Sequence, residues 1–118
     1  MAGTATVTTT VIITGGNAGT VNEQNSFSNT SANEQVTSQA LSNGSTTINV
    51  PTLPVQATGV VIIPPTTNTF IITLKGVAGD TGVPISRTAA TTIPFDSTPP
   101  ASFVLTSTGV VNMQFRWI

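Results

Sequence analysis

Two residues in five of this chain branch at Cβ: 24 threonines, 13 valines and 10 isoleucines make 47 of 118. Branching at Cβ stiffens χ1, which disfavours helix and suits the half-buried face of a pleated strand. The pattern agrees with the composition. From Thr4 to Thr14, Ala5, Val7, Thr9, Val11 and Ile13 alternate with Thr4, Thr6, Thr8, Thr10 and Ile12, a period of two. Near the other end Val111, Met113, Phe115 and Trp117 alternate with Asn112, Gln114 and Arg116, a strand with one apolar and one polar face. A mean hydropathy of +0.27 argues for a chain that folds. At 118 residues it makes one domain.

Turn residues divide the rest. The glycines of Gly15-Gly16-Asn17-Ala18-Gly19 free the backbone for a turn. The stretch Asn22 to Gln39 is rich in Asn, Gln, Ser and Thr around one large apolar residue, Phe27. It fits a solvated edge, a long loop, or an arm that orders against another subunit, because alone it buries little to offset its ordering entropy. Val36–Leu41 and Thr46–Val50 flank Asn43-Gly44, the pair favoured in a two-residue type I′ hairpin. Pro51 and Pro54 around Thr52-Leu53 fit a crossing between sheets. Gly59 to Ile63 reads as a central strand, and Phe70, Ile72 and Leu74 as the apolar face of a strand returning beside it in a second hairpin. Val83 with Ile85, and Ile93 with Phe95, mark short strands whose Pro84 and Pro94 place them at sheet edges.

Together these segments predict an all-β fold, an antiparallel β-sandwich of eight or nine strands, of jelly-roll type or similar. Residues 1–41 form an N-terminal strand and polar arm engaged in subunit contacts, and residues 42–118 form the sandwich. The expected core is Val60, Ile62, Phe70, Ile72, Leu74, Phe103, Leu105, Val111, Met113, Phe115 and Trp117.

Charge is scarce. Three basic and four acidic residues are 6% of the chain, where an ordinary soluble domain carries about a quarter. A net charge of −1 gives no positive field to hold a nucleic acid or an anionic membrane, so neither is an expected partner. A compact chain of this mass exposes roughly 6,000 Å². Seven charges then leave about 850 Å² each, close to one partner's share of a standard interface. Such a surface suits permanent packing against other subunits.

The catalytic inventory is equally thin. With no His, Cys or Tyr, the usual metal ligands, thiol nucleophiles and near-neutral proton-transfer groups are missing. Acid–base chemistry would fall to Glu23, Glu34, Asp80 and Asp96, with Lys75, Arg87 and Arg116 as cations. Asp80 and Asp96 sit in turn sequences, where Asp serves the local backbone. Gly76, Gly79 and Gly82 lack the Lys-Ser/Thr of a phosphate loop, and Asp80 alone makes no calcium site. Lys75, on the polar face of its strand, is expected to be a solvated ammonium rather than a buried partner for an isopeptide crosslink. Trp117 and Phe115 fit a sandwich core better than a sugar-stacking platform. The expectation is no enzyme: no catalytic residue, cofactor or metal.

The strings Gly44-Ser-Thr-Thr-Ile-Asn-Val-Pro, Gly59-Val-Val-Ile-Ile-Pro-Pro, Ile72-Thr-Leu-Lys-Gly-Val-Ala-Gly-Asp-Thr-Gly-Val, Phe103-Val-Leu and Phe115-Arg-Trp-Ile run through residues 42–118. In them the chain resembles the small β-sandwich virion structural proteins of tailed bacteriophages. The resemblance implies a capsid decoration or cement protein working by non-covalent contact, or else a tail or fibre component, with a carbohydrate-binding module as the alternative outside that family. It implies its own copies, as a trimer or higher oligomer, and a major capsid or tail protein as partners. It also implies residence in the virion after assembly in the host cytoplasm, in keeping with a start, Met1-Ala2-Gly3-Thr4, that lacks the features of a signal peptide.

Overall fold

The computed structural model describes residues 3–15, 19–30, 34–52 and 56–118. Among them lie ten strands: β1 (Thr4–Ile13), β2 (Val21–Thr30), β3 (Gln35–Leu41), β4 (Gly44–Asn49), β5 (Gly59–Ile63), β6 (Ile72–Lys75), β7 (Val83–Ile85), β8 (Thr91–Pro94), β9 (Ser102–Ser107) and β10 (Val111–Trp117). Every pairing is antiparallel. β1 and β2 form a two-stranded ribbon, while the others form two four-stranded sheets, ordered β3-β10-β5-β8 and β4-β9-β6-β7. The middle of the glycine turn, residues 16–18, and the stretch 53–55 containing Pro54 lie outside the described residues.

The two sheets share one core. Leu41, Val60, Ile62, Val111, Met113, Phe115 and Trp117 come from the first sheet, and Ile48, Ile72, Phe103 and Leu105 from the second. The arrangement is sandwich-like, as the period-two patterns imply. β10 realises its alternation in full, with Val111, Met113, Phe115 and Trp117 buried and the residues between them exposed. β7 and β8, each with a proline, are edge strands. β4 and β5 lie in different sheets, so the chain changes sheet between Asn49 and Gly59.

Two expected hairpins are absent. β3 and β4 flank Asn43-Gly44 but belong to different sheets, so this turn is a corner. Gly44 has φ +124° and no other residue type has a positive φ among those described, whereas a type I′ turn needs two positive values. The reason is burial. Leu41 and Ile48, each at most 1% exposed, enter the core from opposite sheets, and a hairpin would hold both on one. β5 and β6 likewise fall in different sheets.

Phe70 is a further correction. It is 38% exposed, and its ring packs over Gly109 instead of entering the core. The apolar phase of β6 starts only at Ile72, because the residues before it belong to a turn organised by Asn68. That buried side chain donates to the carbonyls of Phe70 (3.0 Å) and Arg87 (2.9 Å) and accepts from the Phe70 amide (3.0 Å). Leu74 packs only partly buried at the core margin, while Leu41, Ile48, Ala57 and Ile118 join the core unannounced. The polar stretch Asn22–Gln39 divides: Asn22 to Thr30 complete the ribbon in β2, and Gln35 to Gln39 enter the first sheet in β3. The sandwich therefore begins at Gln35, ahead of the boundary at residue 42.

The ribbon crosses the outer face of the first sheet. The Phe27 ring lies where any Cβ at Gly59 would stand. Asn29 donates to the Gln56 carbonyl (3.2 Å), Thr58 donates to the Ser28 carbonyl (3.3 Å), and the hydroxyls of Thr9 and Thr92 meet at 3.2 Å. The fit is loose. A cavity of about 460 Å³ remains between Ala5, Thr6 and Val7 of the ribbon and Val61, Ile63 and Arg116 beneath it.

Candidate functional site

The seven charges are dispersed. Arg116 and Glu34 form the one ion pair among the described residues, with side chains 49% and 24% exposed, a setting worth at most about 1 kcal/mol. Asp80 accepts from the Val77 amide at 3.0 Å, closing its own turn. Arg87 donates to the Thr69 carbonyl at 2.9 Å. Glu23 is exposed on the ribbon and Asp96 is exposed after β8. Asp80 and Asp96 line different depressions, so the structure does not bring these two carboxylates together as a candidate acid–base pair. Among the described residues no three carboxylates cluster in a way that could hold a metal ion.

Trp117 is 1% exposed and stacks on Phe115 at a centroid separation of 5.8 Å. Its indole N–H donates to the Thr37 hydroxyl at 2.9 Å. The N–H is thereby satisfied inside the sandwich, as a buried indole requires. Neither ring offers a face to a sugar.

What remains is surface, and the ribbon is its most unusual part. Residues opposed in an antiparallel pair share a face. Thr4 opposes Thr30, Thr6 opposes Ser28, Thr8 opposes Ser26 and Thr10 opposes Gln24. From Thr4 to Thr10 this face is therefore neutral hydrogen-bonding groups, all exposed, and it ends at Ile12 opposite Asn22. The other face carries Ala5 with Asn29 and Val7 with Phe27, half-buried against the sheet. Past Thr9 the docking stops. Thr10 to Ile12 and Asn22 to Gln24 are exposed on both faces, Val11 by 38% and Ile12 by 64%.

The whole molecule exposes 6964 Å², about 1,000 Å² more than a compact chain of this mass. Its radius of gyration, 15.5 Å, likewise exceeds the roughly 13.5 Å of a compact domain this long. A two-stranded ribbon open on one face, and on both at its end, accounts for the direction of both excesses.

The second feature is a cleft of about 540 Å³ at the margin where β7 and β8 end the two sheets. Leu74, Ile93, Phe95 and Phe103 give it apolar walls, Val83 stands on its β7 side, and Lys75 and Asp80 are its charged residues. These edge strands are short, so the sheets do not cover all the apolar surface between them. Neither the ribbon end nor the cleft is evident from sequence, since each depends on which strands become edges.

No protein-family model, curated protein or solved structure matches the chain.

Proposed function

We propose that this chain is a virion structural protein, in the first place a capsid decoration or cement protein, acting through non-covalent contacts with its own copies and with a major capsid protein. The observation that carries the reading is the surface. Seven charges on 6964 Å² leave about 1,000 Å² per charge, and the polar remainder is Thr, Ser, Asn and Gln. A free monomer normally keeps itself soluble and guards its sheet edges with charge. This one offers edges and a ribbon whose one charge is Glu23, a surface that partners can cover while burying few ions.

Within this reading the sandwich is a jelly roll. The orders β3-β10-β5-β8 and β4-β9-β6-β7 assign successive strands to the two sheets as two Greek keys do, an architecture common to viral capsid and lectin domains. The chemistry weighs against the lectin use, because Trp117 and Phe115 are core residues. The ribbon is the subunit joint: among the described residues its strands pair only with each other, and an isolated two-stranded hairpin is marginal in water.

Sedimentation of the purified chain with phage heads, and separately with tails, tests the reading. Saturable capture by heads is expected, while capture by tails alone would reassign the chain to the tail. A chain left in the supernatant by both, yet bound to a glycan array, would replace this function with carbohydrate recognition.

A further inference from the structure

The ribbon end and the cleft are complementary. The end presents Val11 on one face and Ile12 on the other, both exposed, in a segment that touches little of its own sandwich. The cleft presents Leu74, Ile93, Phe95 and Phe103, and its volume of about 540 Å³ is in the range that accepts side chains or small ligands. Charge matches as well. Glu23 is the register partner of Val11, so it shares that residue's face of the ribbon. Lys75, the chain's one lysine, stands at the cleft. The ion pair among the described residues is Arg116 with Glu34, which leaves Glu23 and Lys75 without an ionic partner there. Asp80, also at the cleft, has a carboxylate oxygen taken up by the Val77 amide.

We propose that the ribbon end of one copy seats in the β7–β8 cleft of a second copy, with Val11 and Ile12 on the apolar walls and Glu23 at Lys75. The inference rests on the self-association proposed above and names its joint. The occupant is a second copy for three reasons. The ribbon is fastened to the outside of the first sheet through Phe27 and Thr9, whereas the cleft opens between the sheets, and no ribbon residue lines it. The surplus exposure of about 1,000 Å² is the amount one partner contributes to a standard interface, about 800 Å². The end also carries the carboxylate that the cleft's cation lacks. Knob and hole are different patches of the same surface, so the contact is heterologous and closes into a ring or continues from copy to copy.

The chain has no cysteine, so engineered thiols meet only each other. Ile12→Cys and Val83→Cys, purified separately and mixed under mild oxidation, should give mixed disulfide dimers in excess of either homodimer. The double variant should give a ladder of multimers. Equal dimerisation of Ile12→Cys alone would overturn the joint in favour of an end-to-end contact. An intrachain disulfide in dilute double variant would overturn it in favour of the chain's own ribbon. Glu23→Lys and Lys75→Glu should each weaken assembly about two- to fivefold, and the double charge swap should restore it. Failure of that restoration would overturn the pairing. Ile12→Asp, at an exposed position with circular dichroism as the folding control, should weaken assembly about tenfold or more. If wild type and Ile12→Asp assemble alike and no mixed disulfide forms, this joint fails while self-association stands. If wild type stays monomeric at high micromolar concentration, self-association fails first. Saturation of the cleft by an apolar dye that leaves the assembly intact would also overturn the seat.

Discussion

Phe27 of the ribbon and Gly59 of β5 occupy one site between them: the aromatic ring fills the space that a side chain on residue 59 would take. Phe27 is the ribbon's one large aromatic anchor on the sandwich, with the half-buried Ala5 and Val7 beside it and hydrogen bonds at Thr9, Ser28 and Asn29 around it. Gly59→Val should therefore expel the ring and release the ribbon rather than unfold the sheet. Limited proteolysis should cut before residue 34 much faster than in wild type, while the fragment from residue 34 onward persists.

Two phenylalanines that look alike in sequence should behave differently. Phe115 is fully buried, and Phe115→Ala should cost about 3 to 5 kcal/mol in chemical denaturation. Phe70, packed on Gly109 and open to water on its other side, should cost about 1 kcal/mol on the same change. Equal losses would contradict the placement of Phe70 outside the core.

Trp117 is the chain's one tryptophan and a reporter of the interior. Its emission should be blue-shifted and poorly quenched by acrylamide, and should not respond to added sugars. Thr37→Val removes the acceptor for the indole N–H, and the loss of about 1 to 3 kcal/mol expected for an orphaned buried donor should appear in thermal unfolding.

Asn68 holds two loops with one amide, tying Phe70 to Arg87 through three hydrogen bonds. Asn68→Ala strands a backbone donor and two carbonyls in a largely buried place, at an expected cost of about 2 to 3 kcal/mol. Asn68→Asp keeps the acceptor for the Phe70 amide but turns a charge toward two carbonyl oxygens. It should be no better, as measured by denaturant midpoint.

Assembly should respond weakly to salt. Neutral hydrogen bonds and apolar contact dominate the available surface, and a single exposed ion pair adds little that a Debye length of about 8 Å could screen. Light scattering between low and high ionic strength should show nearly constant association, and removal of residues 1–30 should abolish it.

Strand identity was legible from alternation in β1 and β10 and from the apolar run of β5, and prolines marked the edges correctly at Pro84 and Pro94. Pairing was not legible. Asn43-Gly44 carries the local chemistry of a hairpin, but the burial of Leu41 and Ile48 from two sheets outweighs one turn preference. Phe70 kept the spacing of a strand through a turn that Asn68 imposes from outside the pattern. β2 escaped notice because its partner supplies most of the ribbon's apolar residues and it has only Val21 and Phe27. The cleft was invisible for a different reason: its walls come from β6, β8 and β9 and the segment after β8, and only tertiary order brings them to one margin.

The strand order has a kinetic consequence. β10 lies between β3 and β5, and β9 lies between β4 and β6, so the segment Ser102–Trp117 bridges both sheets. Until it arrives, β3 and β4 have no ladder at all, and the pairs β5–β8 and β6–β7 are isolated fragments. Leu41 must find Val111, and Asn49 must find Ser102, before either sheet is continuous. Closing loops of that length makes this a slow folder, in the millisecond-to-second class of non-local β topologies. During that interval the apolar run of β5 waits uncovered. Crowding many nascent copies together risks trapping them at this stage, so the yield of assembled protein should be set by how quickly one late segment threads the middle of two half-built sheets.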